Sequence, residues 1–153
     1  MYKITKDGVA VDPELYMIDE VNGTFASSEN GLVIDFTGKN GWLFRTRNNC
    51  TVTTGVNCFI DTGSNCNIST GDRTVIRAHW NSDITGGENC VVIRRDTNEV
   101  IMLIAGQTIK LNDHMTEGYE VVEPIETIEI GGLKFNKEEI EKLLKQFNQL
   151  INY

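Results

Sequence analysis

From Asn49 to Asp96 the chain runs as six consecutive octads without an insertion: NCTVTTGV, NCFIDTGS, NCNISTGD, RTVIRAHW, NSDITGGE and NCVVIRRD. The fourth place is always β-branched and apolar: Val52, Ile60, Ile68, Ile76, Ile84 and Val92. The second is small throughout, holding Cys50, Cys58, Cys66, Thr74, Ser82 and Cys90. The sixth opens with Thr54, Thr62 and Thr70, and weaker units extend upstream with Phe36 and Phe44 expected at the apolar place. A unit this short cannot bury an apolar face by itself, so the period dictates stacking before any other feature is considered.

Within each unit the second, fourth and sixth places alternate with polar ones, which is the period of a short strand. The T-G-x-N junction supplies the turn, with Gly expected at positive φ and Asn able to enter the left-handed region. Because the period is even, every Cys, Ile and Thr of the repeat points to one side. A solenoid coil can take two octads or three; a meander of antiparallel hairpins is the other stacking. Uniformly small inward residues suit a thin interior, which favours the solenoid. The expected fold is mainly β: a short β-solenoid of octapeptide repeats, capped by β-hairpins and a C-terminal α-helix. Its segments are an N-terminal cap (1–32), the repeat (33–96), a hairpin cap (97–135) and an amphipathic helix (136–153), together one compact domain.

The flanks carry their own signals. Tyr2 to Val11 reads as a hairpin over Asp7-Gly8, and Asp12-Pro13 opens a short helix. Val91 to Arg95 and Glu99 to Ile104 read as strands around Asp96-Thr97-Asn98. Thr127 to Ile130 and Leu133 to Phe135 form a hairpin over Gly131-Gly132. Asn136 and Glu139 have the spacing of a capping box. The helix behind it lines up Ile140, Leu143, Leu144, Phe147, Leu150 and Ile151 on one stripe. That stripe is expected to cover the solenoid's end, a second copy or another protein, so Ile140, Leu143, Leu144, Phe147 and Leu150 are candidate interface residues.

The run NCTVTTGVNCFIDTGSNCNISTG, closing on NCVVIRRD and IKLND, resembles phage and prophage proteins that carry tandem NCTFxTG-type octapeptide repeats. The resemblance covers residues 49–120 and implies a mobile-element origin without implying an activity. RTVIRAHW and NSDITGGE depart from its pattern.

Chemistry is sparse by comparison. The four cysteines share one repeat position and read as structural thiols, and no CxxC or Cys/His cluster suggests zinc. Neither His79 nor His114 stands beside a motif-placed nucleophile, and no phosphate loop, dinucleotide fingerprint or nucleophile elbow occurs. The expectation is therefore a protein that is not an enzyme and uses no metal or cofactor. No apolar run approaches the ~18 residues of a membrane span, and the first residues lack a signal peptide's apolar centre. These point to a protein of the bacterial host cytosol, away from membranes.

A net charge of −8 in 153 residues makes direct nucleic-acid binding an unpromising role. The charge is uneven, however: residues 41–96 hold six arginines against five carboxylates, and no lysine. Arginine suits fork-like recognition of carboxylate or phosphate. A two-octad coil would stack Arg45, Asp61, Arg77 and Ile93 in one outward column, with Arg47, Gly63, His79 and Arg95 beside it. Trp80 would join that edge or pack under the N-terminal region. Arg45, Arg47, Arg77, His79, Trp80 and Arg95 are accordingly the candidate binding residues, with Thr53, Ser69 and Thr85 on the opposite face. The functional expectation is a binding protein that inhibits a host defence protein by occupying its surface, by nucleic-acid mimicry among other routes. A virion component and an oligomer sequestering a small ligand such as a nucleotide are the alternatives.

Overall fold

A computed structural model describes residues 2–123 and 126–151, so the ends of the expected terminal segments and the 124–125 pair lie outside the described residues. The chain divides into two compact units, Met1–Val122 and Glu123–Tyr153. In the first, β1 (Lys3–Lys6) and β2 (Val9–Ala10) form a hairpin over Asp7-Gly8. A 3-10 turn, Pro13–Leu15, follows Asp12, whose carboxylate accepts the Glu14 N–H at 3.0 Å. A second hairpin pairs β3 (Met17–Asp19) with β4 (Thr24–Ala26).

The chain then alternates between two parallel sheets. One takes β5 (Val33–Phe36), β7 (Thr51–Thr54), β9 (Asn67–Ser69) and β11 (Asp83–Thr85). The other continues β4 with β6 (Leu43–Arg45), β8 (Phe59–Asp61), β10 (Val75–Ala78) and β12 (Val91–Arg94). This is a β-solenoid with two octads per coil. Antiparallel strands stop both ends of the stack. β1 lies on β5, while β13 (Val100–Met102) lies on β12, β14 (Thr108–Leu111) on β11, and β15 (Tyr119–Val122) on β14.

Register resolves the coil length. Val52 pairs with Ile68 and Ile60 with Ile76, each two octads on. The first coils are wider: Ile34 pairs with Val52 and Phe25 with Phe44, separations that exceed two octads. Phe44 sits at the apolar place as expected, but Phe36 does not, because it aligns with Thr54 and leaves that place to Ile34. The extra length encloses an aromatic cluster. Phe36 stacks on Tyr2 at 4.8 Å between ring centres and meets Phe44 and Trp42 at 5.1 Å each.

Inside the regular coils, small and β-branched residues are what the narrow space admits. Val52, Ile60, Ile76, Ile84 and Val92 are fully buried, and Thr62, Thr74 and Ser82 beside them are fully buried too. The polar atoms find partners. The Thr74 and Ser82 hydroxyls accept the N–H of Cys58 and Cys66 one coil below, and Thr54 shares a 2.7 Å hydrogen bond with Thr70. All four thiols donate to a carbonyl of the preceding coil: Cys50 to Glu29, Cys58 to Lys39, Cys66 to Arg47 and Cys90 to Gly71. Burial of Thr54 and Thr62 removes them from any surface role.

The corners differ from expectation in which residue bears the unusual φ. Asn49, Asn57, Asn65, Arg73, Asn81 and Asn89, each first in its octad, lie between φ 55° and 60°. The preceding glycines are not left-handed; they are needed for close approach. A Cβ on Gly63 would stand 2.0 Å from Asn48 Oδ1, and one on Gly87 the same distance from Asp72 Oδ1. Those oxygens are occupied in holding the stack. Asn48 accepts the Ser64 N–H at 3.0 Å and Asp72 the Glu88 N–H at 2.8 Å. Where the residue below is Ser64 or Trp80 instead, no such carboxamide intrudes, and His79 and Arg95 stand in the glycine's place. His79 therefore costs its corner nothing in φ.

The second unit contains the hairpin of β16 (Thr127–Ile130) and β17 (Leu133–Asn136) and the helix α1 (Lys137–Ile151). Asn136 Oδ1 accepts the Glu139 N–H at 3.2 Å, the expected cap.

Gly63→Ala is expected to destabilise the solenoid by about 2 kcal/mol through overpacking, and Asn48→Ala by about 1 kcal/mol through the lost hydrogen bond. The double variant should lose less than the sum, since removing the Asn48 carboxamide opens space for the new methyl group. Urea denaturation of all four proteins reads the coupling; strict additivity would contradict the corner geometry.

Candidate functional site

The two outward faces of the solenoid are chemically unlike. On the first sheet one register column runs Thr51, Asn67, Asp83 and the next runs Thr53, Ser69, Thr85, Thr108. That face is polar. On the second sheet the first column is Leu43, Phe59, Val75, Val91 and Met102, an apolar ladder with one rung per strand. Its neighbour is Arg45, Asp61, Arg77, Ile93 and Val100. Strands stack at ~4.8 Å, so the apolar ladder extends over roughly 19 Å. Four of its rungs are half-buried by one another and Met102 is exposed.

Charge is shared unequally beside this ladder. Asp61 accepts Arg95 at 2.9 Å and lies 3.8 Å from Arg77. Arg45 and Arg47 are exposed and form no ion pair among the described residues. Both line a groove of about 720 Å³ at the corner that follows the second sheet, together with Arg95, His79, Asp61 and Asn48. The 3-10 turn and β3 also line it, contributing Glu14, Leu15, Tyr16 and Met17. Thr46 also lines the groove; it is itself buried, and its hydroxyl finds no partner.

The structure thus brings Arg45, Arg47, His79 and Arg95 to one groove and sets Arg77 next to it in the outward column. Trp80 does not line that groove. Nor does it pack under the N-terminal region, the second placement expected for it. Its ring meets His79 at 5.1 Å and His114 at 4.3 Å between centres, edge to face in both cases. Burial, and after it the cation of Arg95, holds the His79 imidazole below its ordinary pKa, so the ring is neutral at pH 7. Its Nδ1 is buried without a hydrogen-bond partner.

His114 reaches Trp80 because a buried arginine anchors its loop. Arg94 occupies the sixth, inward place of its octad, where Thr54 and Thr62 stand in earlier coils, and is fully buried. Its Nε and Nη2 donate to both oxygens of Asp96 at 3.1 and 2.8 Å. Further bonds run from Nη1 to the Thr116 carbonyl and from Nη2 to that of Asp113 at 3.2 Å. Asp96 also accepts the Met115 N–H, and Glu99 the Gly118 N–H. Burial works against the ionised Asp96, but the Arg94 hydrogen bonds, the Met115 N–H and the Arg94 charge together hold it below the usual carboxylate range. Arg94 is a residue the sequence offered only as a charge; its even position in the octad was the signal that it faces inward.

Among the described residues no three His, Cys, Asp or Glu side chains are grouped to hold a metal ion, and no helix is long and apolar enough to cross a membrane. The cysteine thiols are all buried and free, and the neighbouring Cys50 thiol together with burial pushes the Cys66 thiol up. The arrangement offers cations, an aromatic edge and an apolar ladder. Compared with protein-family models, curated proteins and solved structures, the chain matches none.

Arg94→Met would leave Asp96 buried without its counter-charge and is expected to cost about 3–5 kcal/mol, read by urea denaturation. Below the unfolding range, Trp80 emission should shift to the red as His114 is released. An unchanged midpoint would contradict the anchoring role. The His79 pKa is lower in the folded chain than in the unfolded one, so stability is at its full value above the unfolded pKa of about 6.5 and declines as the pH falls from there through the lower folded pKa. Melting temperature followed from pH 7.5 to 5 should decline, and His79→Gln should flatten the decline; identical profiles would count against it.

Proposed function

We propose that this chain is a non-catalytic binding protein whose second-sheet face, with the adjoining arginine groove, occupies an acidic surface of a partner protein. The observation that carries the reading is the unlike chemistry of the two outward faces. An apolar ladder bordered by unpaired arginines has the composition of an interface, with a hydrophobic centre and a charged rim. Arg45 and Arg47 form no ion pair among the described residues, although Glu14 and Asp61 line the same groove, so a partner's carboxylates are what would complete them. The cationic groove favours an acidic partner over mimicry of nucleic acid. Taken with the resemblance of the octads to phage and prophage repeats, the partner is a bacterial host protein, and occupation of its surface is the mode of inhibition; a defence enzyme is the class this reading names.

A second reading has its own support. The 720 Å³ groove brings three arginines together with Tyr16 and Met17, which suits a small anionic ligand with a flat apolar part, a nucleotide for instance.

One experiment separates the two. The chain, an Arg45→Glu/Arg47→Glu variant and a Thr53→Glu/Thr85→Glu variant are used to capture protein from bacterial host lysate, and each is melted with a panel of nucleotides. A captured partner lost from the arginine variant, retained by the threonine variant and weakened by salt is the expected result. Loss from the threonine variant alone would overturn the proposed face. Melting shifts with a nucleotide that disappear in the arginine variant would establish the second reading instead; ligand at 100 times its Kd adds about 2.7 kcal/mol.

A further inference from the structure

The unit at the C-terminus is folded but has not buried its apolar surface. Ile128, Ile130, Leu133 and Phe135 lie on one face of the β16–β17 hairpin, paired Ile128 with Phe135 and Ile130 with Leu133. Ile130, Leu133 and Phe135 are exposed. No described residue of α1 is buried, and Leu143, Leu144, Phe147, Leu150 and Ile151 are 56–76% exposed. A helix of 15 residues and an isolated two-stranded hairpin are each marginal in water. This unit therefore draws its stability from a surface outside itself.

We propose that the surface is the same unit of a second copy, with the two α1 helices packed antiparallel. Spacing is the first argument. Ile140, Leu143, Phe147 and Leu150 repeat at intervals of three and four, the seam of a two-helix coil. In the antiparallel arrangement Ile140 meets Leu150 of the second copy and Leu143 meets its Phe147, so the four positions form closed layers with none left over. Charge is the second argument. Glu138, Glu139 and Glu141 outnumber Lys137 and Lys142 in the first turns, whereas Gln146, Asn148 and Gln149 occupy the last. A parallel pair sets two net-negative ends together, six glutamates against four lysines; an antiparallel pair sets each such end beside an uncharged one and opposes the helix dipoles favourably. Area is the third. The exposed fractions of the eight large apolar side chains, three on the seam and five on its flank and on the hairpin face, amount to roughly 900 Å² per copy, so a pairing that covers both helix and hairpin reaches the ~800 Å² that each partner contributes to a standard stable interface. A second copy is also present at equal concentration whenever the chain folds, which a foreign partner is not. The pairing stands independently of the arginine groove and would present two such grooves per dimer.

Sedimentation equilibrium of the full chain from 1 to 100 µM (roughly the range in which an interface of this size dissociates) tests it. The expected species is a dimer, and Leu143→Asp/Leu150→Asp should raise its dissociation constant about 100-fold or more, with Trp42 and Trp80 emission unchanged. Because those substitutions can also unfold α1, amide exchange of residues 137–151 is measured in the unaltered chain as a function of concentration; protection should rise as the dimer fills. A monomer throughout, with α1 protected equally at every concentration, overturns the proposal, as does a dimer that survives the double substitution.

Discussion

Each coil of the solenoid must fit between the coils above and below it, and that constraint governs almost every residue choice in the repeat. The backbone bonds that join coils do not stop at the strand ends. The Asn57 N–H donates to the Asp72 carbonyl, Thr62 to Arg77 and Thr70 to Thr85, so the corners are locked to the same two-octad register as the strands. A side chain at a corner is therefore felt by the next coil. Asn48 satisfies the Ser64 N–H above it and in doing so forbids a Cβ at Gly63. The glycine belongs to one octad and the reason for it to another, nearly a full coil earlier in the chain. The same constraint makes the interior thin, which is why thiols, hydroxyls and β-branched carbons suffice to fill it and why the larger rings of Phe25, Phe36 and Phe44 require the longer coils at the N-terminal end.

This also explains what could be read from the sequence. The inward places were plain, because the same small space is presented once per octad and selects the same residue types each time. Coil length was harder, since the inward places repeat with every octad and are silent about pairs of them. The outward third place carried the missing signal: Leu43, Thr51, Phe59, Asn67, Val75, Asp83, Val91 alternates between apolar and polar, a doubled period that assigns alternate octads to different sheets. The N-terminal coils resisted reading because an aromatic core needs no octad grammar. The role of the corner glycines could not be inferred locally at all, for the atom that excludes a side chain lies one coil below.

Arg94 shows how the stack ends and why the site is where it is. A continuing coil would place another small residue at that inward position. Here the guanidinium turns the last interior layer into a polar socket: two of its hydrogen bonds hold the Asp113 and Thr116 carbonyls of the returning segment and two fix Asp96, which in turn accepts the Met115 N–H. Burying an ion pair is a poor source of stability when set against an apolar alternative, but it is demanding about geometry. What it secures in this chain is position: the loop delivers His114 to Trp80, and Trp80 closes on His79 at the edge of the arginine groove. The cap and the groove are thus coupled through one aromatic ring.

The outward positions are the ones on which stacking makes the fewest demands. Thr, Asn and Ser suffice there on the first sheet, as Thr51, Thr53, Asn67 and Ser69 demonstrate in the same coils. The second sheet, under the same backbone geometry and built from the same octads, carries Leu43, Phe59, Val75 and Val91 with Arg45 and Arg77. Neither solubility nor register asks for that difference, since an apolar ladder facing solvent weakens the first and the second is already set by the corners. The fold therefore does not account for this face, which is the feature on which the proposed recognition role rests. By the same reasoning the Asp61 carboxylate, shared between Arg77 and Arg95, moderates the cationic column without neutralising it, leaving Arg45 and Arg47 as the groove's arginines that no described carboxylate pairs, with Glu14 as the groove's other carboxylate.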